Sequence, residues 1–232
     1  MSLAERLGDA ARLNNRGAAL YAKGEWKESL LLFRQSLEGM IAQLREVAPG
    51  NAVADDYSAL YLLKKNFDVL PCTGTAESPN KDAESPMVFL NPIVFSSVPT
   101  QDQETSLTVI CGMIVFNMSI ASHAKAMQGD TACLAQALQL YESSVNFIYR
   151  TPHAETVFAS VLSAALNNKI QIYHSSCRFD ELDRDSQRLS KAVYVAYAHE
   201  VRDPNSLLSQ QDFEGILLNL LLLKRPTKAQ AA

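Results

Sequence analysis

The sequence predicts an all-α fold, an α-α superhelix of antiparallel helix pairs that is interrupted by one irregular insertion. The first observation behind this prediction is a repeat, because Asn14-Asn15 recurs as Asn167-Asn168, 153 residues later (167 − 14). The second is that the 232 residues include only 9 glycines and 9 prolines, and six of the prolines lie between positions 49 and 99. Since these residue types interrupt helices, long helices are expected on both sides of that region. Repeat units bury their apolar faces against one another, so we expect a single domain over residues 1–232.

The overall composition is that of a globular protein. Hydrophobic residues make up 47% of the chain and charged residues 20%, which is sufficient for a core. The net charge of −4 argues against nucleic-acid binding, which depends on clustered cations that displace counterions from phosphates. Residues 1–11 lack the apolar centre of a signal peptide, and the apolar run 216–223 is too short to cross a bilayer. The sequence thus predicts a cytoplasmic or nuclear protein that does not bind membranes.

The four cysteines indicate neither a disulfide framework nor a metal site. Cys72, Cys111, Cys133 and Cys177 are far apart, with no C-x-x-C pair and no histidine at zinc spacing. We therefore expect free, buried thiols in a reducing compartment, and we expect no metal and no cofactor.

The N-terminal stretch predicts the first helix pair. Apolar residues recur at helical spacings in residues 3–23 and again in 25–47, which places them on one face of each helix. Gly24 is expected to form the turn, because glycine accepts the left-handed conformation that follows a helix. Gly17 leaves room on the first helix for Phe33 on the second, so the two helices are expected to pack closely.

A change of composition after the first pair predicts the irregular insertion, over about residues 71–98. Residues 57–70 are apolar enough to add one more helix, whereas residues 71–86 are rich in Thr, Ser, Pro and acidic residues without periodicity. Residues 87–95 (MVFLNPIVF) are β-prone but contain Pro92. Because proline removes a donor from a sheet ladder, we expect an extended segment lying against the helices rather than a central strand.

A second helix pair follows the insertion. Thr100 and Gln103 are typical of a capping box that opens a helix ending near Met127. Gly129 indicates the turn, and Asp130 is expected to cap the partner helix.

A third pair and a last helix complete the chain. Pro152 is tolerated in the first turn of a helix, so one helix is expected over residues 151–177 and its partner over 179–201. Asn205 or Ser209 is expected to cap the last helix. The predicted organisation is therefore three units over about residues 3–47, 100–150 and 151–201, the insertion, and a C-terminal capping helix over about 205–224.

The first unit resembles the tetratricopeptide repeat. In that family a small residue, a large apolar residue, a turn glycine and an aromatic residue are followed by a small–large–small pattern on the second helix. The chain carries this pattern at matching spacings as Gly17, Leu20, Gly24, Trp26, Ser29, Phe33 and Ser36. The unit that begins at Asn168 matches in its first helix and turn, and the middle unit around Asn117 matches with a lengthened first helix.

This resemblance implies a concave groove, lined by the first helix of each pair, that takes an extended peptide. Asn15 stands where such domains place an asparagine that bonds the ligand backbone, and Asn117 and Asn168 are expected to repeat that placement. An amide both donates and accepts, so it can satisfy an extended peptide's backbone. The other candidates for partner contact are Asn14, Tyr21, Gln171 and His174. The alternative is that the asparagines bond a neighbouring helix and only stabilise packing.

No catalytic or metal-binding set is recognisable in the sequence. His174 and Cys177 are three residues apart, but nothing supplies the orienting group that a nucleophile pair requires, so they predict turn packing. An acidic run lacks the central glycine and terminal glutamate of a calcium loop and predicts a solvated helix start. That run consists of Asp180, Glu181, Asp183 and Asp185.

We therefore expect a non-enzymatic scaffold or adaptor whose groove binds an extended peptide or a partner helix of another protein. The alternative is a structural subunit that assembles with itself or with a larger complex. The observation behind this alternative is the last helix, whose residues 213–223 (FEGILLNLLLL) are hydrophobic almost all round. Such a helix either caps a repeat array or forms an oligomer surface.

Overall fold

The computed structural model describes residues 3–46, 57–72, 87–97, 104–200 and 206–223. In this part of the chain nine helices form antiparallel pairs in sequence order, with a small two-stranded insertion. The helices are α1 (Leu3–Ala22), α2 (Trp26–Glu46), α3 (Tyr57–Lys64), α4 (Glu104–Met127), α5 (Ala132–Tyr149), α6 (Ala154–Val157), α7 (Ala159–Ser175), α8 (Phe179–Glu200) and α9 (Gln210–Leu222). The strands are β1 (Phe67–Val69) and β2 (Ile93–Phe95). The predicted all-α fold of helix pairs with one insertion is confirmed.

The first pair, α1 and α2, meets as the sequence predicts. Gly24 forms the turn with φ +80°, and its N–H donates to the Tyr21 carbonyl over 2.9 Å. A Cβ atom at Gly17 would lie 2.8 Å from the Phe33 ring. The missing side chain therefore allows the two helices to approach, and the aromatic ring fills the space that it leaves.

The predicted helix over residues 57–70 is shorter than expected. It ends as α3 at Lys64, and β1 follows shortly afterwards. β1 pairs antiparallel with β2, with Phe67 opposite Phe95, and the two ring centroids lie 5.0 Å apart. The expectation of a helix through residue 70 was wrong because this cross-strand pairing, which buries both rings, outweighs the local helical pattern.

Residues 87–95 lie against the helices, as predicted, and the last three of them form β2. β2 begins directly after Pro92, whose carbonyl accepts from the Leu70 N–H over 2.9 Å. Proline has no N–H, but at this position the pairing of β1 with β2 needs only its carbonyl as an acceptor. Of the predicted irregular stretch, residues 71–86, only the first two are described, and they have no regular structure. The remainder lies outside the described residues.

α4 lies in the middle of the fold, against α2 and α5. Among the described helices it alone is long and apolar enough to cross a membrane, and 89% of its most apolar window is buried inside the fold. Gly129 forms the predicted turn after it, with φ +108°. The residue before α5 is Thr131 rather than the predicted Asp130, whose carboxylate instead pairs with Lys125 at 2.8 Å. The predicted capping box at residues 100–103 lies outside the described residues.

The predicted single helix over residues 151–177 is divided into α6 and α7. The break falls at Phe158, which has φ −114° and ψ 32° and is fully buried. Its ring packs edge-to-face against Phe67 of β1, with centroids 6.1 Å apart, so a tertiary contact overrides the helical pattern here. α8 then folds back on α7 after Cys177, which has φ +56°.

A buried charge cluster ties α5, α7 and α8 together. The fully buried Lys169 ammonium lies 2.6 Å from the Asp185 carboxylate and also pairs with Glu142. Burial raises the pKa of Asp185, but Lys169 and Arg188 outweigh this effect and hold it below its ordinary value. The prediction that the acidic run faces solvent is therefore wrong for Asp185, which turns inward to meet the charge on α7.

α9 begins at one of the two predicted caps, Ser209. Its hydroxyl accepts from the Asp212 N–H over 3.1 Å, and the Asp212 carboxylate accepts from the Ser209 N–H over 2.8 Å, which completes a capping box. The helix packs on α7 and α8 and buries Phe213 and Ile216. Its other face exposes Leu217, Leu218, Leu221 and Leu222. The alternative cap, Asn205, lies outside the described residues.

Candidate functional site

Four asparagines on four helices form a row that holds residues 87–95. Asn15 is on α1, Asn117 on α4, Asn168 on α7 and Asn219 on α9. We call these four residues the asparagine row, and residues 87–95 the inner segment. Each member of the row bonds the main chain of one residue of the inner segment. The helices therefore meet along one extended stretch of backbone.

Each amide of the row bonds both backbone groups of its residue. At Ile93, the Asn117 Oδ1 accepts from the N–H over 2.8 Å, and its Nδ2 donates to the carbonyl over 2.6 Å. At Phe95, Asn15 makes the same two bonds, each over 2.7 Å. An amide in this orientation replaces the two bonds that a residue of a neighbouring antiparallel strand would exchange.

The arrangement continues towards the other end of the inner segment. Asn168 accepts from the Phe89 N–H over 2.9 Å and donates to its carbonyl over 2.6 Å. Asn219 accepts from the Met87 N–H over 3.1 Å and donates to its carbonyl over 2.7 Å. The row thus bonds positions 87, 89, 93 and 95, all on the same edge of the extended backbone.

Asn14 completes the hydrogen bonds at the centre of the row. Its Nδ2 donates to the Ile93 carbonyl over 2.9 Å, and its Oδ1 accepts from Asn117 Nδ2 over 2.9 Å. Asn14 and Asn117 are both buried, and buried amides are stable only when their donors and acceptors are paired. The two side chains therefore fix each other and the main chain of Ile93.

The Met87 end of the inner segment is held by a group of amides. Besides Asn219, Asn167 donates to the Met87 carbonyl over 3.0 Å, and Gln171 donates to the same atom. Asn167 also accepts from Asn219 Nδ2 over 2.7 Å. A Cβ atom at Gly215 would overlap the Met87 side chain, so this glycine is what permits α9 to approach the segment.

The side chains at the row-bonded positions contribute to the core. Phe89, Ile93 and Phe95 are buried, and the Phe89 ring centroid lies 6.1 Å from that of Phe116 on α4. At position 94 the main chain pairs instead with Asp68 of β1. The segment is therefore held by amides on one edge and, over β2, by a strand on the other.

A polar chain extends from the row into the core. The Asn168 Nδ2 donates to the Tyr141 hydroxyl over 2.8 Å, and the Tyr141 oxygen lies 3.3 Å from His123 Nδ1. Burial lowers the pKa of His123 to about 4 and raises the pKa of Tyr141. Both groups are therefore neutral near physiological pH, and they act by holding the Asn168 amide in place.

Five of the seven residues that were predicted to contact a partner bond the main chain of the inner segment. These five are Asn14, Asn15, Asn117, Asn168 and Gln171. Tyr21 is buried and packs edge-to-face on Trp26, with centroids 4.9 Å apart. His174 packs on Phe179, with 6.4 Å between the ring centroids, and lines a cavity beside the inner segment. The asparagines thus bond an extended stretch of their own chain. They also bond side chains of neighbouring helices, as the alternative expected, from Asn117 to Asn14 and from Asn168 to Tyr141.

The sequence contains a signal for Asn219, which sequence reasoning missed. Asn219 follows Asn168 by 51 residues (219 − 168), and Asn168 follows Asn117 by the same interval (168 − 117). Asn15 precedes Asn117 by twice that interval (117 − 15 = 102), and the position between them is Asn66. Asn66 bonds the chain directly after the inner segment. The interval of 51 residues is therefore the sequence signal that points to Asn219.

Two of the thiols, Cys72 and Cys111, have the environment of structural rather than reactive cysteines. Burial raises the pKa of Cys72 to about 11 and that of Cys111 to about 12, which suppresses the thiolate form. All four cysteines are free, but the expectation of buried thiols is met only by Cys111 and Cys133, since Cys72 is half-buried and Cys177 is exposed. The described residues contain no group of three or more histidine, cysteine or acidic side chains placed to hold a metal ion.

Comparison with known proteins gives no match to a family model, to a curated protein or to a solved structure. The structure itself defines the class: a mainly helical protein of packed antiparallel helix pairs. Within that class, its particular feature is a row of asparagines that holds an extended segment of the same chain.

Proposed function

We propose that this protein is a non-enzymatic, tetratricopeptide-like adaptor of the cytoplasm or nucleus whose asparagine row binds an extended segment of another protein. The observation that supports this proposal is the inner segment itself. Four amides from four helices bond both backbone groups of residues 87, 89, 93 and 95 along one edge of an extended chain. Because these bonds involve only main-chain atoms, affinity comes from the backbone and selectivity from the side-chain positions between the helices.

The inner segment is, on this proposal, an internal ligand. A partner has to displace it, since both would use the same amides. A segment that belongs to the same chain has a high effective concentration, so a partner must fit the buried positions better than the chain's own residues do. The positions that select a partner are those of Phe89, Ile93 and Phe95, whose side chains are buried.

A peptide with the sequence of residues 87–95 tests the proposal. Binding of the fluorescein-labelled peptide would be measured by anisotropy with the wild type and with a Phe89→Ala/Phe95→Ala variant, whose own segment is weakened while the row is intact. We expect the variant to bind at least about tenfold more tightly, because truncation of two buried rings removes more than about 1.4 kcal/mol of internal competition. Circular dichroism verifies that the variant stays folded.

The register of the row supplies a matched pair of control peptides. Methylation of the Phe89 amide nitrogen removes the N–H that donates to the Asn168 Oδ1. The control peptide is methylated at the amide nitrogen of Leu90, which lies one residue further and is not bonded by the row. The first peptide should lose about tenfold or more in affinity and the second much less. Equal losses, or no binding by the weakened variant, would mean that the row serves only to hold the chain's own segment.

A second candidate function is assembly through α9. Its outer face exposes Leu217 by 42% and Leu221 by 65%, and within the described residues no antiparallel partner helix covers it. Neighbouring exposed leucines are typical of a contact surface. We propose that this face binds another copy of the chain or a subunit of a larger complex.

Light scattering distinguishes self-assembly from a monomer. Leu217→Lys/Leu221→Lys should convert an oligomeric wild type into a monomer with unchanged helical content, because both side chains are exposed. Ile216→Lys is the control on the buried face of the same helix and should unfold the protein. A wild type that is monomeric at high concentration contradicts self-assembly.

A further inference from the structure

A cavity of about 300 Å³ lies beside the inner segment. Val88 of the segment forms part of its lining, together with apolar side chains that include Ala126, Leu134 and Ile172. The lining also contains five polar side chains, those of His123, Thr131, Gln171, His174 and Ser175. Val88 is only half-buried, so the inner segment leaves this space unfilled. An engineered apolar cavity of about 150 Å³ already binds benzene, and the space here is therefore ample for an aromatic ring.

One polar atom in the lining has an unused hydrogen-bonding position. His123 is 5% exposed and lines the cavity. Its Nδ1 lies 3.3 Å from the Tyr141 hydroxyl, while its Nε2 has no hydrogen-bond partner among the described residues. This nitrogen is therefore available to a polar group that enters the cavity.

We propose that this cavity binds a phenolic ring, either of a free small molecule or of a tyrosine that replaces Val88 in a bound extended segment. The ring fits the apolar walls. The hydroxyl can donate or accept, so it pairs with the His123 Nε2 in either tautomer. Met127 in the lining adds a thioether, which packs favourably against aromatic rings. The tyrosine form rests on the proposed function, whereas the free-ligand form does not.

The first experiment titrates the wild-type chain of 232 residues with 4-methylphenol, the side chain of tyrosine, by calorimetry. We expect saturable binding that weakens at least about tenfold in Val88→Tyr, whose own ring fills the cavity. Leu90→Tyr is the matched control, because Leu90 is half-buried in the same segment but does not line the cavity. It should bind 4-methylphenol as the wild type does. Absence of saturable binding, or undiminished binding by Val88→Tyr, overturns the free-ligand form.

Toluene tests the role of the hydroxyl, because it has the same ring without the oxygen. The wild type should bind 4-methylphenol about fivefold more tightly than toluene, as expected for one hydrogen bond. This preference should disappear in His123→Leu. Equal binding of both compounds to the wild type overturns the assignment of a phenol, and that comparison does not require the His123 variant to fold.

The peptide-borne form is tested with the Phe89→Ala/Phe95→Ala variant. Three peptides of residues 87–95 would carry valine, phenylalanine or tyrosine at the second position. We expect the tyrosine peptide to bind about tenfold more tightly than the valine peptide, with phenylalanine between them. Equal affinities for the three peptides overturn the tyrosine form.

The two proposals fail in different ways. If 4-methylphenol binds the wild type and no peptide binds the weakened variant, the cavity takes a free phenol and the proposed adaptor function is wrong. If the three peptides bind equally and 4-methylphenol does not bind, the adaptor function stands and the phenol site is wrong.

Discussion

At the scale of single residues, the core contains polar groups whose burial is acceptable only because each has a partner. Lys169 and Asp185 are both fully buried, with 2.6 Å between ammonium and carboxylate. His123 is buried as a neutral ring beside Tyr141. Moving a charge out of water costs several kcal/mol, so the loss of one partner is more harmful than the loss of both.

Lys169→Met should destabilise the fold by about 3–5 kcal/mol, because it leaves Asp185 buried with less compensation. The double variant Lys169→Met/Asp185→Leu should recover a substantial part of that loss. Urea denaturation measures both free energies of unfolding. A double variant that is as unstable as the sum of the single variants would show that the pair is not coupled.

His123 should make the protein less stable in mild acid. Its pKa is about 4 in the fold, below the value of about 6.5 expected for the unfolded chain. The unfolded state therefore binds the proton first, and the stability that comes from the neutral ring is present above about pH 6.5 and lost as the pH falls towards 4. The loss should approach about 3 kcal/mol.

Urea denaturation at about pH 7 and about pH 5 measures this effect. The wild type should lose more stability between the two conditions than His123→Leu does. Asp185 does not contribute to the stability difference between these two pH values, because its pKa is held below its ordinary value. Equal losses in the two proteins would assign the acid sensitivity to other groups.

At the scale of the helix pair, a glycine that faces a residue of the partner helix sets the distance between the two helices. In α1 and α2 this is Gly17 against Phe33, and in α4 and α5 a Cβ atom at Gly112 would lie 3.1 Å from the Cβ of Phe147. The same device therefore serves in two of the pairs.

Gly17→Ala should destabilise the fold although alanine is the better helix former. The gain in helix propensity is at most about 1 kcal/mol, whereas overpacking against the Phe33 ring costs about 1–3 kcal/mol. Gly39→Ala is the matched control on α2, because a Cβ atom there would meet nothing within 4 Å. Thermal unfolding should show a lower Tm for the first variant and a higher Tm for the second. A higher Tm for both would mean that Phe33 moves aside at little cost.

At the scale of the whole molecule, the inner segment joins helices that are far apart in the sequence. α1, α4, α7 and α9 each contribute one member of the asparagine row. The segment thus connects these helices, and we expect the stability of the fold to depend on it. This dependence can be measured without any partner.

Asn117→Leu should lower the free energy of unfolding by about 2–4 kcal/mol, because it leaves the buried N–H of Ile93 unpaired and removes one donor to its carbonyl. Asn146→Leu is the control, since Asn146 lies on α5 of the same pair and has no side-chain hydrogen bond among the described residues. It should change stability by less than about 1 kcal/mol. Urea denaturation compares the two. Similar effects would show that the row contributes little to folding.

Much of the helical architecture can be predicted from local patterns, and the exceptions share one cause. Gly24 and Gly129 predict turns and Ser209 predicts a helix N-cap, because the backbone conformations and hydrogen bonds of these residues are local. The end of α3 and the break at Phe158 could not be predicted in this way. Both depend on Phe67, which meets Phe95 and Phe158 only after the chain has folded.

The sequence by itself determined the helix pairs, their turns, and the extended character of residues 87–95, since periodicity, glycine and proline act through neighbouring residues. It also placed asparagines at a regular interval. Only the tertiary structure decided what those asparagines bond, because a side-chain amide pairs equally well with any backbone of suitable geometry. The packing of α1, α4, α7 and α9 around one stretch of chain made that backbone the protein's own inner segment.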